Sequence, residues 1–452
     1  MQCLARFVVA CTAAVIASPK GAIADEHAHP VPPTLEAGDH SGVEQALARE
    51  VRIEVVLDIA AKVNPEIHEA QERLLGATAR AGAAGRLPDL EAKYEQWGVP
   101  LARPYALNEA GTIMVGLRQT IPSPGVLGAR SRAAEGDAKM LAEVQRAREQ
   151  DIRVRVKRAF YDYYRSYHEY QIHLEHVVLE GRIVELARQN YQVGRASQQD
   201  VLRAVVDLSR LHNDVGDILQ QVESSKALLN TLMARPTAAA LGPPSEIAPA
   251  LVLVDAAHVE ELIQKSRPEV ASAKLGIERS QAALDAARTE ARLPNIMVGA
   301  DYWYQPTSAV QHAYAAMVSI NLPWLNARHG DEVREAEHAL AADVRAFESA
   351  RNAALYEVRD AFARLTAARQ SFRIMNGELL PQARQSFEAA QAAFSAGKGD
   401  ALGLLDSARS YLQVRLEHVR ALTRLGSSFG DLERAAGADL AKAVPAAEEK
   451  HQ

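Results

Sequence analysis

The chain has 452 residues, of which 48% are apolar and only 5% aromatic, and its formal net charge is −6 at pH 7. This length and apolar content suffice for a sizeable core, which argues against an intrinsically disordered chain. Acidic and basic residues are interspersed, with no basic patch for nucleic acid. Abundant alanine with few aromatic residues favours long, closely packed helices over a sandwich or a doubly wound sheet.

Residues 1–24 have the pattern of a secretory signal peptide. Arg6 precedes an apolar stretch over residues 7–17, and a cleavage-like Ala-Ile-Ala sequence ends at Ala24. Cleavage there removes Cys3 and Cys11, the two cysteines of the chain, so we expect no disulfide in the mature protein. Lipid attachment at Cys11 is the alternative. Beyond the signal no apolar run reaches about 18 residues, so a membrane-spanning part has to use strands.

The rest of the chain is a duplication. Four motifs recur in the same order and roughly 200 residues apart, namely NPEI and RPEV at Asn64 and Arg267, RLPD and RLPN at Arg86 and Arg292, QTIP and INLP ending at Pro122 and Pro323, and VKRAF and VRDAF at Val156 and Val358. We predict a first repeat over residues 53–233 and a second over 256–437. A Pro-rich linker over 234–255 joins them, with flexible segments over 25–52 and 438–452.

Each repeat is expected to contain a helix, two strands, a long helix and a returning helix. The first helix ends at the RLP motif because proline cannot continue its hydrogen bonds. Apolar and polar residues then alternate over about 90–97 and 113–121 in the first repeat, and over about 296–304 and 314–322 in the second. This period of two predicts strands with one apolar face.

The predicted strands carry charged and aromatic residues in a regular arrangement. Glu91, Lys93 and Glu95 form a charged face opposite Ala92 and Tyr94. The three tryptophans, Trp97, Trp303 and Trp324, lie in or next to the strands. Membrane barrels place such rings at their interfaces, although aromatic residues are enriched in strands of any kind.

The long helices show coiled-coil spacing. In the first repeat no proline occurs from about residue 128 to 193, and apolar residues follow each other at intervals of three and four, as in Val156, Phe160, Tyr163, Tyr167, Tyr170, Leu174 and Val177. The returning helix and the second repeat continue this pattern. The stretches YQVGRASQQDVL and FSAGKGDALGLL interrupt it, which predicts helical turns over about 191–200 and 394–403. Gly194 supplies backbone freedom there, and Ser197 is placed to cap the returning helix.

Four strands cannot close a barrel, and lipid requires every backbone polar group to be paired. Several chains therefore have to share one barrel. Three chains supply twelve strands, beyond the roughly eight whose side chains fill the lumen, so a trimer with a pore is expected. The sequence leaves other numbers of chains open.

This duplicated plan resembles the TolC-type outer-membrane efflux ducts over roughly Ile53 to Gly437, most specifically in the two turn motifs. The resemblance implies a mainly α fold with a membrane β part, in which a homotrimer forms a twelve-stranded β-barrel and a periplasmic α-helical barrel. It implies a passive duct in outer-membrane lipid, with a long periplasmic extension, no enzymatic activity and no cofactor. An inner-membrane pump, of the resistance-nodulation-division type, delivers the cargo. A periplasmic adaptor docks at the tip turns, represented here by Gly194, Ser197, Gly397 and Lys398.

The resemblance also assigns acidic residues to the periplasmic aperture. Asp406 corresponds to an acid of the aperture ring, whereas Gly403 stands where a second acid is expected, so the ring should be thinner here. Asp200 corresponds to an acid that helps to close the entrance. Its tyrosine and arginine partners in the family correspond to Phe394 and Gly399, so this lock should be altered. The RQTIPSPG turn at residues 118–125 resembles the heavy-metal efflux branch.

Other kinds of site have weaker support. His173 and His176 are three residues apart and can share a helix face, but two imidazoles are too few for a metal site, and a solvated polar face is the simpler interpretation. No spacing of serine, histidine, acid, glycine or cysteine indicates catalysis. Two other functions remain open, a soluble periplasmic coiled-coil scaffold and a type I duct that secretes a protein or peptide.

Overall fold

The computed structural model describes residues 37–99, 102, 110–248, 266–306, 308–396, 398–399 and 401–440. The predicted signal peptide with Cys11, the end of the predicted linker, Gly397 and residues 441–452 lie outside the described residues. Within these ranges the chain is mostly helical with one small sheet. None of the helices in the described ranges combines the length and apolarity needed to cross a bilayer.

The two halves share one order of elements from the helix before the strands onward, and the first half has two further helices at its start. The first consists of α1 (Ala37–Arg49), α2 (Ile53–Val63), α3 (Pro65–Ala84), β1 (Glu91–Trp97), β2 (Thr112–Ile121), α4 (Val126–Gln192) and α5 (Gln198–Leu232). The second consists of α6 (Pro268–Arg292), β3 (Ile296–Tyr304), β4 (His312–Ile320), a 3₁₀ turn (Pro323–Leu325), α7 (Arg328–Ile374), a π turn (Met375–Leu379), α8 (Leu380–Ser395) and α9 (Ala401–Ala436). The duplicated order of helix, strand pair and long helical hairpin is thus present.

The NPE and RPE motifs have the same structural role in both repeats. Asn64 caps α3 by accepting a hydrogen bond from the Glu66 amide at 3.0 Å, and its Nδ2 donates to the carbonyl of Leu232 at 3.0 Å. In the second repeat, Arg267 Nη1 donates to the carbonyl of Ala435 at 3.1 Å. In each repeat the residue before the proline therefore ties the start of the following helix, α3 or α6, to the end of the last helix of that repeat.

The long helix of the second repeat is interrupted where the sequence analysis expected no break. A π turn over Met375–Leu379 connects α7 to α8, and Pro381 stands at the start of α8. Proline removes one helical hydrogen bond and clashes with the carbonyl of residue i−4. The wider π turn accommodates this clash.

The coiled-coil stripe is only partly followed in α4. Val156, Phe160 and Tyr163 are buried, but Leu174 is exposed, and beyond Tyr170 the buried positions shift to Ile172, His173, His176, Glu180 and Ile183. The reason is that α4 packs against both α5 and α9, so its buried surface is wider than a single heptad seam. In α7 the positions of the coiled-coil stripe are buried, namely Ala354, Val358, Ala361, Leu365 and Ala368.

The strands differ slightly from the predicted ranges. β3 spans Ile296–Tyr304 as predicted, whereas β4 spans His312–Ile320, against an expected range of 314–322. It ends early because Pro323 starts the 3₁₀ turn and cannot donate a ladder hydrogen bond.

Candidate functional site

The four strands form one antiparallel sheet in the order β1-β2-β3-β4. The central pairing joins the two repeats, because β2 pairs with β3, with Val115 opposite Tyr302 and Leu117 opposite Ala300. The outer strands β1 and β4 each have one edge without a strand partner among the described residues. Such an edge is a template for pairing with another chain.

One face of this sheet is apolar and exposed. The register groups the side chains of this apolar face across all four strands, including Ala92, Tyr94, Ile113, Val115, Leu117, Ile121, Ile296, Val298, Ala300, Tyr302, Tyr304, Tyr314, Ala316, Val318 and Ile320. Tyr314 is 86% exposed, Val318 71% and Val115 52%. Water-soluble proteins rarely expose a contiguous apolar patch of this extent. The face therefore has the character of a surface that contacts lipid or another protein.

The opposite, polar face carries charged residues of both repeats. Lys93 pairs with Glu95 on β1, and Arg118 Nη2 lies 3.9 Å from Asp301 Oδ2 across β2 and β3. Gly116 lies directly opposite Asp301, and a Cβ at this glycine would be 2.0 Å from Asp301 Oδ1. The missing side chain thus makes room for the carboxylate, and the two faces differ as the sequence predicts.

Aromatic side chains concentrate near both ends of the strands. Trp97 ends β1 and is 59% exposed, and the Tyr302 and Tyr314 rings are 5.5 Å apart near the same end of the sheet. Trp324, also 59% exposed, follows β4 at the opposite end, beside the long helices. Rings at both ends of an apolar band are typical of a membrane interface.

The first tip turn joins α4 to α5. Gly194 has φ of 71°, and the Arg195 amide donates to the carbonyl of Asn190 at 2.8 Å, which is a Schellman end. Ser197 caps α5, since its Oγ accepts from the Asp200 amide at 3.2 Å while Asp200 Oδ2 accepts from the Ser197 amide at 2.9 Å. The turn motif thus has a complete local structural explanation.

The second tip turn follows α8. The Lys398 amide donates to the carbonyl of Ala393 at 2.9 Å, and the Lys398 side chain is exposed. Phe394 is buried in a cluster that joins both hairpins near their turns, with Ile183, Val184, Ala204, Phe387, Leu404, Leu405 and Ala408. The hairpins of the two repeats therefore pack against each other close to their tips.

The two acids assigned to the aperture lie in different surroundings. Hydrogen bonds from the Ser197 hydroxyl and amide hold the pKa of Asp200 below its usual value. Asp200 is thus engaged within its own turn, and the buried Phe394 offers it no hydrogen bond. The Asp406 side chain is 62% exposed, with Oδ1 3.9 Å from Arg409 Nη1.

A charged group with two buried carboxylates and a half-exposed guanidinium lies near the first tip. Arg409 on α9 forms an ion pair with Asp207 on α5, and Glu180 on α4, only 2% exposed, lies close to both. Burial raises the pKa of Glu180 to about 7, and the negative charge of Asp207 contributes to this rise. The positive charge of Arg409 acts in the opposite direction.

Comparison with known proteins identifies the family. The family model described as outer membrane efflux protein matches residues 56–235 and 260–438, one copy per repeat. The chain belongs to this family. The two matches correspond to the two halves of the fold, each with one strand pair and one long hairpin.

This outer membrane efflux protein is similar to several characterised proteins. It is 23% identical over 324 residues to the cobalt-zinc-cadmium resistance protein CzcC of Cupriavidus metallidurans, covering 69% of this chain and 74% of CzcC. Its fold matches the crystal structure of CusC with a TM-score of 0.74 at 18% identity, covering 86% of this chain and 92% of CusC. The outer membrane protein VceC of Vibrio cholerae gives a TM-score of 0.70 at 19% identity, covering 85% and 96%. The fold is therefore that of the outer-membrane channels.

The histidine pair of this efflux protein is not solvated, and that interpretation was wrong. His173 is 6% and His176 3% exposed, because α9 covers this side of α4. His173 Nδ1 lies 2.8 Å from the Glu169 carbonyl, and burial, with Arg415 and His173, lowers the pKa of His176 to about 4. The described ranges contain no group of three or more potential ligands placed to hold a metal ion.

The sequence analysis missed the charged group formed by Glu180, Asp207 and Arg409, in which the two carboxylates are buried. One signal was present, since Glu180 follows His176 by one helical turn and continues the face that is buried here. Nothing in the sequence pairs Asp207 with a residue of the other repeat, so only the tertiary structure brings Arg409 to it.

Proposed function

We propose that this chain is the outer-membrane exit duct of a tripartite efflux system, assembled as a homotrimer. In this function it conducts cargo passively from an inner-membrane pump and a periplasmic adaptor to the exterior. The observation that supports the proposal most directly is the sheet, whose exposed apolar face and charged opposite face match the lipid side and the lumen side of a membrane barrel.

Trimeric assembly is supported by the two open edges. Membrane lipid offers no hydrogen bonds to the outer edges of β1 and β4, so each edge requires another strand. Pairing β4 of one protomer with β1 of the next closes a ring in which every edge is used. Three copies of a four-stranded sheet give a barrel wide enough for an aqueous pore.

The tip turns are the proposed adaptor site. Gly194, Ser197 and Lys398 lie at the end of each hairpin opposite to the sheet, and Gly397 belongs to the second turn by sequence. Exposed apolar side chains at this end, such as Val193 at 65% and Leu202 at 57%, are available to a partner. Asp406 and Asp200 are proposed to contribute negative charge at the periplasmic aperture.

Heavy-metal cations are the proposed cargo. The similarity to CzcC, whose name describes cobalt, zinc and cadmium resistance, supports this assignment. Because the described residues form no metal-binding cluster, the duct need not select its cargo, and the pump can do so.

Two variants at the centre of β4 test the membrane location. Ala316 lies on the apolar face and Ala315 on the polar face opposite Asp301. An arginine facing lipid near the bilayer centre costs about 2–4 kcal/mol, whereas one facing the lumen is tolerated. We expect Ala316→Arg to reduce the amount of protein in the outer membrane, and Ala315→Arg to leave it near the wild-type level, as measured by fractionation and immunoblotting.

The same preparations test conduction and cargo. Wild type and Ala315→Arg, purified in detergent, should give discrete conductance steps in planar bilayers. A deletion strain should become sensitive to cobalt, zinc or cadmium and be restored by Ala315→Arg but not by Ala316→Arg. Recovery of the wild type from the soluble periplasm without detergent would instead support a scaffold. Conductance without a metal phenotype would support a secretion duct or another cargo.

A further inference from the structure

The contact between the two returning helices is concentrated in a few residues. Among the described residues α5 and α9 make few direct contacts, and the ion pair between Asp207 and Arg409 connects the first repeat to the second near the tips. Glu180 of α4 lies behind this pair and is 2% exposed. These three residues therefore form a polar group at the junction of the two hairpins.

Two carboxylate oxygens in this group lack a hydrogen bond. Glu180 Oε2 and Asp207 Oδ2 are both buried and have no hydrogen-bond partner among the described residues. A proton on Glu180 would supply the missing donor, and the Asp207 carboxylate is the neighbouring acceptor. Without that proton, two buried carboxylates share one guanidinium, which leaves negative charge uncompensated in a region of low dielectric constant.

The other charged groups around Glu180 do not replace that proton. On its own helix, the neutral His176 lies one turn before it. On α5, Arg210 lies 4.0 Å from Asp207 but is itself 75% exposed. On α9, Asp406 competes for Arg409 at 3.9 Å. The α8 side chains in the cluster that joins both hairpins, Phe387 and Phe394, are apolar.

We propose that Glu180, Asp207 and Arg409 form a proton-dependent latch between the two hairpins, which is engaged while Glu180 is protonated and loosens when Glu180 is ionised. The latch rests on the proposed function, since it would adjust how readily the periplasmic entrance opens. An acidic periplasm keeps the hairpins together, and a rise in pH above neutrality favours their separation.

The direction follows from the pKa of Glu180. Burial raises it from 4.5 to about 7, so the packed state binds a proton more tightly than a loosened state in which the carboxyl is solvated. Stabilisation by Glu180 is therefore complete below pH 4.5 and is lost as the pH rises through about 7. His176, whose pKa is lowered to about 4, acts in the opposite direction, because its burial costs stability as the pH falls below 6.5.

Glu180→Gln separates the effect of Glu180 titration from the opposite effect of His176 titration. Glutamine has the shape of the protonated acid and can donate a hydrogen bond to Asp207, but it does not titrate. The matched control is Glu185→Gln, which removes an exposed carboxylate from the same helix. All three full-length channels would be compared from pH 6 to 8.5, by conductance in planar bilayers and by amide hydrogen exchange of residues 183–205.

We expect the ratio of open to closed time between pH 6 and 8.5 to rise about tenfold more in wild type and Glu185→Gln than in Glu180→Gln, which is the factor that this pH range gives for a pKa of 4.5 in the loosened state and about 7 in the packed state. Exchange at the tips should likewise be faster in wild type than in Glu180→Gln, and this difference should be larger at pH 8.5 than at pH 6, because stabilisation by Glu180 is lost as the pH rises through about 7. Equal exchange and parallel conductance curves would overturn the latch. Absence of conductance in every variant would refute the proposed duct, while the exchange comparison would still decide whether the latch exists.

Discussion

At the scale of single residues, glycines show where the helices approach each other closely. Gly136 in α4 faces α6, and a Cβ there would lie 2.9 Å from Arg279 Cβ and 3.1 Å from Arg279 Cα. Gly181 lies in the same helix and has no atom within 4 Å of an added Cβ. The two positions differ in tertiary packing and share the same helical conformation.

We therefore expect alanine at these two positions to have opposite effects. Gly181→Ala should raise the free energy of unfolding by about 0.5–1 kcal/mol, because alanine loses less backbone entropy in a helix. Gly136→Ala has the same advantage in backbone entropy, but its added methyl group forces α4 and α6 apart. Overpacking of this kind costs about 1–3 kcal/mol. Thermal unfolding of the detergent-solubilised protein, followed by circular dichroism, measures both. Equal shifts in the two variants would contradict the close approach.

At the scale of elements, the long hairpins depend on turns with defined backbone geometry. The first turn combines a Schellman end at Gly194 with a capping box between Ser197 and Asp200. No atom lies within 4 Å of a Cβ added at Gly194, so its requirement is for backbone conformation and not for space. Substitution there tests the turn without disturbing a packed neighbour.

Gly194→Ala should destabilise the turn by about 1–2 kcal/mol, because a left-handed conformation is unfavourable for a residue with a Cβ. Asparagine adopts this conformation more readily, so Gly194→Asn should retain most of the stability and efflux. Hydrogen exchange at residues 186–200 reports the local opening, and metal tolerance of the complemented strain reports transport. A loss of efflux equal in both variants would mean that the glycine is needed for contact with a partner.

At the scale of the whole molecule, the sheet is incomplete within one chain. The central β2-β3 pairing is internal, whereas β1 and β4 each end the sheet with an edge that no other strand of the described residues covers. In a ring, β4 of each protomer contacts β1 of the next. The two partners thus use different surfaces, and every protomer needs both of its outer edges to close the ring.

This arrangement predicts a specific cross-linking pattern. Lys93→Cys on β1 and Ala315→Cys on β4, combined in one chain, should give covalent dimers and trimers with a flexible bis-maleimide reagent, as seen by denaturing gel electrophoresis. Either cysteine alone should give little product, because β1 does not face β1 and β4 does not face β4. Equal cross-linking in a single-cysteine variant would require a two-fold interface and would exclude the proposed ring.

Much of this architecture could be predicted from the sequence because its signals are local and occur twice. Alternation over residues 296–304 placed β3, and the charged positions of β1 share one face as expected. Gly194 and Ser197 specify a helix end and a helix start through their own backbone and side-chain chemistry. Such features need only neighbours within a few residues of the chain.

Other features depended on contacts that local patterns do not encode. The heptad pattern of α4 predicted one buried seam, but α9 covers a second side, so His173, His176 and Glu180 became buried. The strand order that joins the repeats, and the ion pair from Arg409 to Asp207, are likewise set by packing between distant segments. The sequence by itself thus determined the repeated elements and their faces, through periodicity and turn chemistry. Only the tertiary structure decided which faces meet, because burial and the pKa of Glu180 depend on partners from two other helices, Asp207 on α5 and Arg409 on α9.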